Sequence, residues 1–171
     1  DDEEDEWDDD EEWDDDDEGL TPFLVLKLDR SGGEAQARVM NSASDSPVRG
    51  LIAQGGHHAI VLRTDGTIEA WNLDTGELLA CWVAETDLQA DEPPICVLNG
   101  YLVVWTLEGT IHLLDPLTLE PMARLIGHSD LVSVVVAYGE HELLSCGHDG
   151  EIRRWSLQTR TCVGMMKGQS P

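Results

Sequence analysis

Long apolar runs are missing from this sequence. No stretch approaches the roughly 20 residues that span a bilayer, and the first residues carry neither the basic nor the apolar region of a signal peptide. The expectation is a soluble intracellular chain, cytoplasmic or nuclear, with no membrane partner. Basic residues are scarce as well: 10 Lys and Arg stand against 35 Asp and Glu. A chain so poor in cations offers no footprint for the phosphates that dominate nucleic-acid affinity, so direct DNA or RNA binding is disfavoured and basic proteins are the better-matched partners. The four cysteines, Cys81, Cys96, Cys146 and Cys162, never fall in the close CxxC spacing of a zinc or redox site. Each lies inside an apolar segment and is expected to be a buried, reduced thiol. No long amphipathic period appears, which leaves a helical or α/β class without support.

The acid is concentrated at one end. Sixteen of the 35 acidic residues lie between Asp1 and Glu18, so the remaining body, with 19 acids and 10 bases, is only moderately negative. Like charges repel, and the tract has too little apolar surface to offset its ordering entropy, so residues 1–20 are expected to be disordered. Trp7 and Trp13 interrupt the acids. A mere solubility tail does not need two indoles, whereas acids that attract and indoles that stack on cations suit capture of a Lys/Arg-rich partner.

Beyond the tract the chain repeats itself. The segments DGTIEAWNLDTGELLACWV from Asp65, EGTIHLLDPLTLEPMARLI from Glu108 and DGEIRRWSLQTRTCVGMMK from Asp149 align without a gap, with starts 43 and 41 residues apart. An acid followed by Gly66, Gly109 or Gly150 reads as a tight hairpin turn, because glycine accepts a positive φ. Apolar β-rich runs precede each turn, an alternating strand follows, and a second turn leads into a further short strand. Counting the strand ahead of each unit gives four strands per period of roughly 40 to 45 residues, the signature of a propeller blade. The class is all-β: a partial β-propeller of four-stranded antiparallel blades over residues 48–90, 91–126 and 127–171. A fainter copy over residues 21–47 reads as the end of a preceding blade. Three and a half blades do not close a ring, and the first residue is Asp rather than Met, so a fragment of a larger propeller protein is expected.

The last unit, LIGHSDLVSVVVAYGEHELLSCGHDGEIRRWSL, resembles a WD repeat, with Gly127 and His128 ahead of its first strand and Trp155 on its third. The resemblance implies a buried polar chain across the blade, carried here by His128, Ser145, Asp149 and Trp155. As a list these residues also match a hydrolase triad, but in a blade they point into the sheet stack, and the structural role is favoured. The first unit keeps Asp65 and Trp71 but has Val61 in place of the serine. The middle unit, with Val104, Glu108 and Leu114, lacks the polar chain altogether.

Two weaker signals remain. His57 and His58 are adjacent on a turn with no third ligand in view, and read as surface histidines. Pro93 and Pro94 mark an exposed loop between blades, a candidate contact surface. No catalytic residue, metal ligand set or cofactor is implied. The resemblance implies a non-enzymatic scaffold whose loops dock partner proteins. The rival is the propeller domain of an enzyme or regulatory protein whose catalytic part lies outside this chain.

Overall fold

The computed structural model describes residues 22–27, 36–41, 43–84, 88 and 94–168. Fourteen strands and no helix are found among them. Strands β1 (Pro22–Lys27) and β2 (Gln36–Asn41) pair as an antiparallel ribbon. The rest form three four-stranded meanders. The first is β3 (Val48–Gln54), β4 (His58–Arg63), β5 (Thr67–Asn72) and β6 (Glu77–Val83). The second is β7 (Ile95–Leu98), β8 (Tyr101–Trp105), β9 (Thr110–Leu114) and β10 (Pro121–Ile126). The third is β11 (Val132–Ala137), β12 (Glu142–Gly147), β13 (Glu151–Ser156) and β14 (Thr161–Lys167). In each sheet the spatial order is the chain order and every pairing is antiparallel.

The same two turns build all three sheets. At the acid-Gly hairpin the N–H of Gly66, Gly109 and Gly150 donates to the carbonyl three residues back, at 3.1, 3.2 and 3.1 Å. These glycines have φ of 84°, 81° and 74°, the left-handed region that penalises a Cβ. At the second turn Gly76, Leu119 and Arg160 occupy one aligned position, also left-handed, and each N–H donates to the carbonyl four residues back. Leu119 adopts this costly conformation with its side chain only 2% exposed, so packing offsets the strain.

Because side chains alternate across a strand, each sheet has a leading face, toward the next sheet, and a trailing face, toward the preceding one. The leading residues Ile60, Leu62, Ile68 and Ala70 of the first blade pack on the trailing residues Leu102, Val104 and Leu114 of the second. Val103, Trp105, Ile111 and Leu113 lead from the second blade onto Leu143 and Trp155 of the third. The middle sheet is therefore covered on both faces. That is why its strands read as nearly continuous apolar runs, with Leu102, Val103 and Val104 all at 0% exposure.

Candidate functional site

The third blade gathers its polar side chains on the trailing face. His128 enters from the segment between β10 and β11, Ser145 from β12, Asp149 from the hairpin, and Trp155 from β13. The indole Nε1–H of Trp155 donates to Ser145 Oγ at 2.8 Å. Ser145 Oγ lies 2.7 Å from His128 Nε2, and His128 Nδ1 lies 2.8 Å from Asp149 Oδ2. A carboxylate only accepts, so Nδ1 carries the proton. Nε2 is then an acceptor for the serine O–H, and the serine oxygen is left to receive the indole. Every member is satisfied in one direction.

Two glycines make room for this chain. A Cβ on Gly147 would stand 2.6 Å from His128 Nδ1 and 2.8 Å from Asp149 Oδ1. A Cβ on Gly127 would collide with the Arg153 guanidinium and meet the Trp155 ring at 3.0 Å. Arg153 lies over that ring, 6.0 Å from its centroid, and pairs with Glu151 at 2.6 Å. Asp149 also accepts the N–H groups of Ser129 and Glu151, each at 3.0 Å. Burial pushes its carboxyl up, but the hydrogen bonds from His128, Glu151 and Ser129 outweigh this and leave it below the ordinary value.

The Asp–His–Ser order matches a hydrolase relay, and burial separates the two readings. Ser145 is 1% exposed and the His128 side chain 0%. The serine oxygen is held by the indole and faces the second blade, so no substrate carbonyl has a path to it. His128, Asp149 and Glu151 bring three potential metal ligands within 4.8 Å of one another. Both His128 nitrogens are already engaged, however, and Glu151 accepts from Arg153.

The first blade meets the same need with residues the sequence did not single out. Trp71 Nε1–H donates to Glu69 Oε2 at 3.1 Å, and Arg63 Nε–H donates to the same oxygen at 3.2 Å. Ala43 N–H donates to Glu69 Oε1 at 2.9 Å, and Arg63 Nη1–H to the Ser46 carbonyl at 2.7 Å. Glu69 is 0% exposed, so a buried Arg–Glu pair ties residues 43–46 to the trailing face. At this blade's hairpin, burial raises the Asp65 carboxyl, but bonds from Ser44 and Thr67 prevail and lower it to about 2. In the second blade the ring of His112 sits 5.5 Å from that of Trp82 across the blade junction.

Several expectations need correction or fall elsewhere. Pro94 is buried, and its carbonyl accepts the Trp105 N–H at 3.1 Å. It continues the β7–β8 ladder, because a proline lacks only the donor, and so it is no part of an exposed contact loop. The thiols are not uniformly buried: Cys81 and Cys162 are exposed, Cys96 and Cys146 half-buried. Cys81 and Cys162 lie on β6 and β14, outermost strands with a paired neighbour on one side only. Burial pushes the Cys96 thiol up to about 11. His57 is exposed and pairs with Asp74 across the turn at 2.5 Å. Trp7, Trp13 and Pro93 lie outside the described residues.

No protein-family model matches the chain. It is 28% identical over 148 residues to a THO complex subunit 6 homolog from Danio rerio, covering 78% of this chain and 45% of that protein. The chain thus spans less than half the length of this curated relative. Among solved structures, one chain of a mitotic checkpoint complex superposes with a TM-score of 0.63 at 16% identity, covering 87% of this chain and 45% of that one. The WD40 repeats of RRP9 superpose with a TM-score of 0.60 at 17% identity, covering 74% and 40%. Among the described residues no helix is long and apolar enough to cross a membrane. With its repeated four-stranded meanders and these likenesses, the chain has the fold of a run of β-propeller blades, similar to those of WD40-repeat structures.

Proposed function

We propose that this chain is a protein-interaction scaffold, a non-enzymatic part of a larger propeller protein that works inside the cell. The observation that carries the reading is the full internal engagement of the polar chain. His128 and Ser145 spend their hydrogen-bonding capacity inside the blade, on Asp149 and Trp155, and leave nothing poised for a substrate. A rigid stack of this kind holds connecting turns at fixed spacings, which suits the docking of other proteins. The likeness to a relative whose name makes it a subunit of a complex supports the same reading. The rival, a propeller attached to a catalytic part elsewhere, differs in what flanks the blades.

Partners of basic character are proposed for residues 1–20. Trp7 and Trp13 stack on Lys or Arg side chains while the surrounding acids attract them. Titration of a Lys/Arg-rich segment against the chain, followed by tryptophan fluorescence, is expected to show binding that weakens as salt is raised. Replacing both tryptophans by alanine is expected to weaken it further. Equal binding by the double variant at every salt concentration would reject this role for the indoles.

A further inference from the structure

The outer margin of each blade, its second turn and the strand that follows, is one aligned stretch: residues 73–83, 116–126 and 157–167. It carries Asp74 and Glu77 in the first blade, Glu120 and Arg124 in the second, and Arg160 and Lys167 in the third, so its net charge runs from −2 through 0 to +2. In a chain of net charge −25 the third blade thus has a basic rim. Arg160 is exposed, and the Lys167 side chain is 68% exposed. Glu151, the acid beside Lys167, stands 3.7 Å from its amine and is shared with Arg153, which is nearer at 2.6 Å. Between the two cations of the rim, β14 exposes Val163 at 48% and Met165 at 56%. Met165 lies opposite Arg153 on the trailing face, so it stays exposed although the second blade already packs against that face. β14 is also the last strand of its sheet, with no strand beside its outer edge among the described residues.

We propose that this rim docks the acidic segment of the same chain, residues 1–18, an inference that rests on the reading above of that segment as one that seeks cations. Charge and spacing choose this occupant. Sixteen acids in 18 residues meet the one aligned stretch whose charge is positive. Trp7 and Trp13, six residues apart, would lie about 20 Å from each other in an extended segment, and β14 covers the same distance of about 20 Å from Thr161 to Lys167. One indole can then stack on Arg160 and the other on Lys167, with the apolar surface of Val163 and Met165 between them. Reach is no obstacle: 18 extended residues span up to about 60 Å, against a radius of gyration of about 15 Å for a domain of about 150 residues. Because the segment is tethered, contacts that are weak one by one suffice to hold it. The contact is autoinhibitory: a basic partner reaches residues 1–18 only by displacing them from the third blade.

Lys167 reports on the docking directly, since the sequence has only one other lysine, Lys27. A water-soluble carbodiimide couples a carboxylate to an amine at contact distance, forming an amide while the reagent carries off the water as a urea. Equal amounts of nitrogen-15-labelled and unlabelled 171-residue chains are mixed and treated, and the coupled peptides are read by mass spectrometry. Amides between residues 1–18 and Lys167 are expected within single chains. Arg160→Gly, which puts there the residue that the first blade has at Gly76 and so keeps the turn, is expected to lower their yield at least about twofold. Raising the salt from about 0.05 to about 0.5 M is expected to lower it further. A yield unchanged by Arg160→Gly and by salt overturns the proposal. So does coupling found only between labelled and unlabelled chains, which makes a second copy the occupant. An acetylated Arg-rich peptide, which has no amine to couple, separates this inference from the reading beneath it. Peptide bound to residues 1–18 with no coupling to Lys167 rejects the docking and keeps the basic partners; coupling that the peptide never displaces keeps the docking and rejects them.

Discussion

The second and third blades share one backbone and fill it differently. Where the third places Ser145, Arg153 and Trp155 on its trailing face, the second places Val104, His112 and Leu114, and where the third has Asp149 in its hairpin the second has Glu108. The apolar version is buried outright, with Val104 and Leu114 at 0%. The polar version is equally dry, with Ser145 and Trp155 at 1%, but depends on a complete set of hydrogen bonds. Blade geometry therefore does not require the polar chain. It requires a trailing face that is dense and internally satisfied, and either chemistry supplies one.

The first blade is a third solution and shows how the space is traded. Arg63 occupies the position aligned with Gly147. In the third blade that position must be glycine so that the His128 ring fits; in the first, the arginine reaches Glu69, and Glu69 takes the place of the serine as acceptor for the indole. The largest break in the comparison is expected here. Glu69→Ala would remove the buried carboxylate that Arg63 Nε–H and the Trp71 indole share, and is expected to cost about 3 to 5 kcal/mol in urea unfolding. A loss of only about 0.5 kcal/mol, typical of a surface change, would remove the first blade from the comparison.

A smaller effect separates the hairpins. Asp65, with a folded value of about 2 against an ordinary 3.8, is held in its charged form. Its contribution is fully present above the ordinary value and is lost as the pH falls from about 4 toward 2. The stability difference between the parent and Asp65→Asn is therefore expected to shrink on acidification through that window. A difference that stays constant between about pH 6 and about pH 3 would show that the Ser44 and Thr67 bonds do not hold the carboxylate.

Much of this was legible in the sequence because the turns are punctuated. The acid-Gly pairs fix the hairpins, the gapless alignment fixes the register, and the His128, Ser145, Asp149 and Trp155 spacing marks the four residues that the fold brings together. The substitutes in the first blade were hidden for a physical reason. Glu69 and Arg63 sit where an alternating strand also places solvent-facing charges, and only the cover over that face distinguishes a buried pair from an exposed one. Pro94 misled in the same way: proline signals a loop by its missing donor, yet its carbonyl is free to join a ladder. Exposure of Cys81 and Cys162 follows from position within the sheet, a property no local apolar window carries.

The central claim is that the polar residues of the third blade form one structural tie, transmitted through the His128 ring. A double-mutant cycle between Ser145→Ala and Asp149→Ala, at opposite nitrogens of that ring, tests it by urea unfolding. Asp149→Ala alone is expected to cost about 1 to 3 kcal/mol by leaving its donors unsatisfied. Because either change already frees the ring, the pair is expected to cost less than the two singles together, with a coupling of about 1 kcal/mol or more. Losses that add within about 0.5 kcal/mol would mean that the two bonds act independently, and would contradict the tie.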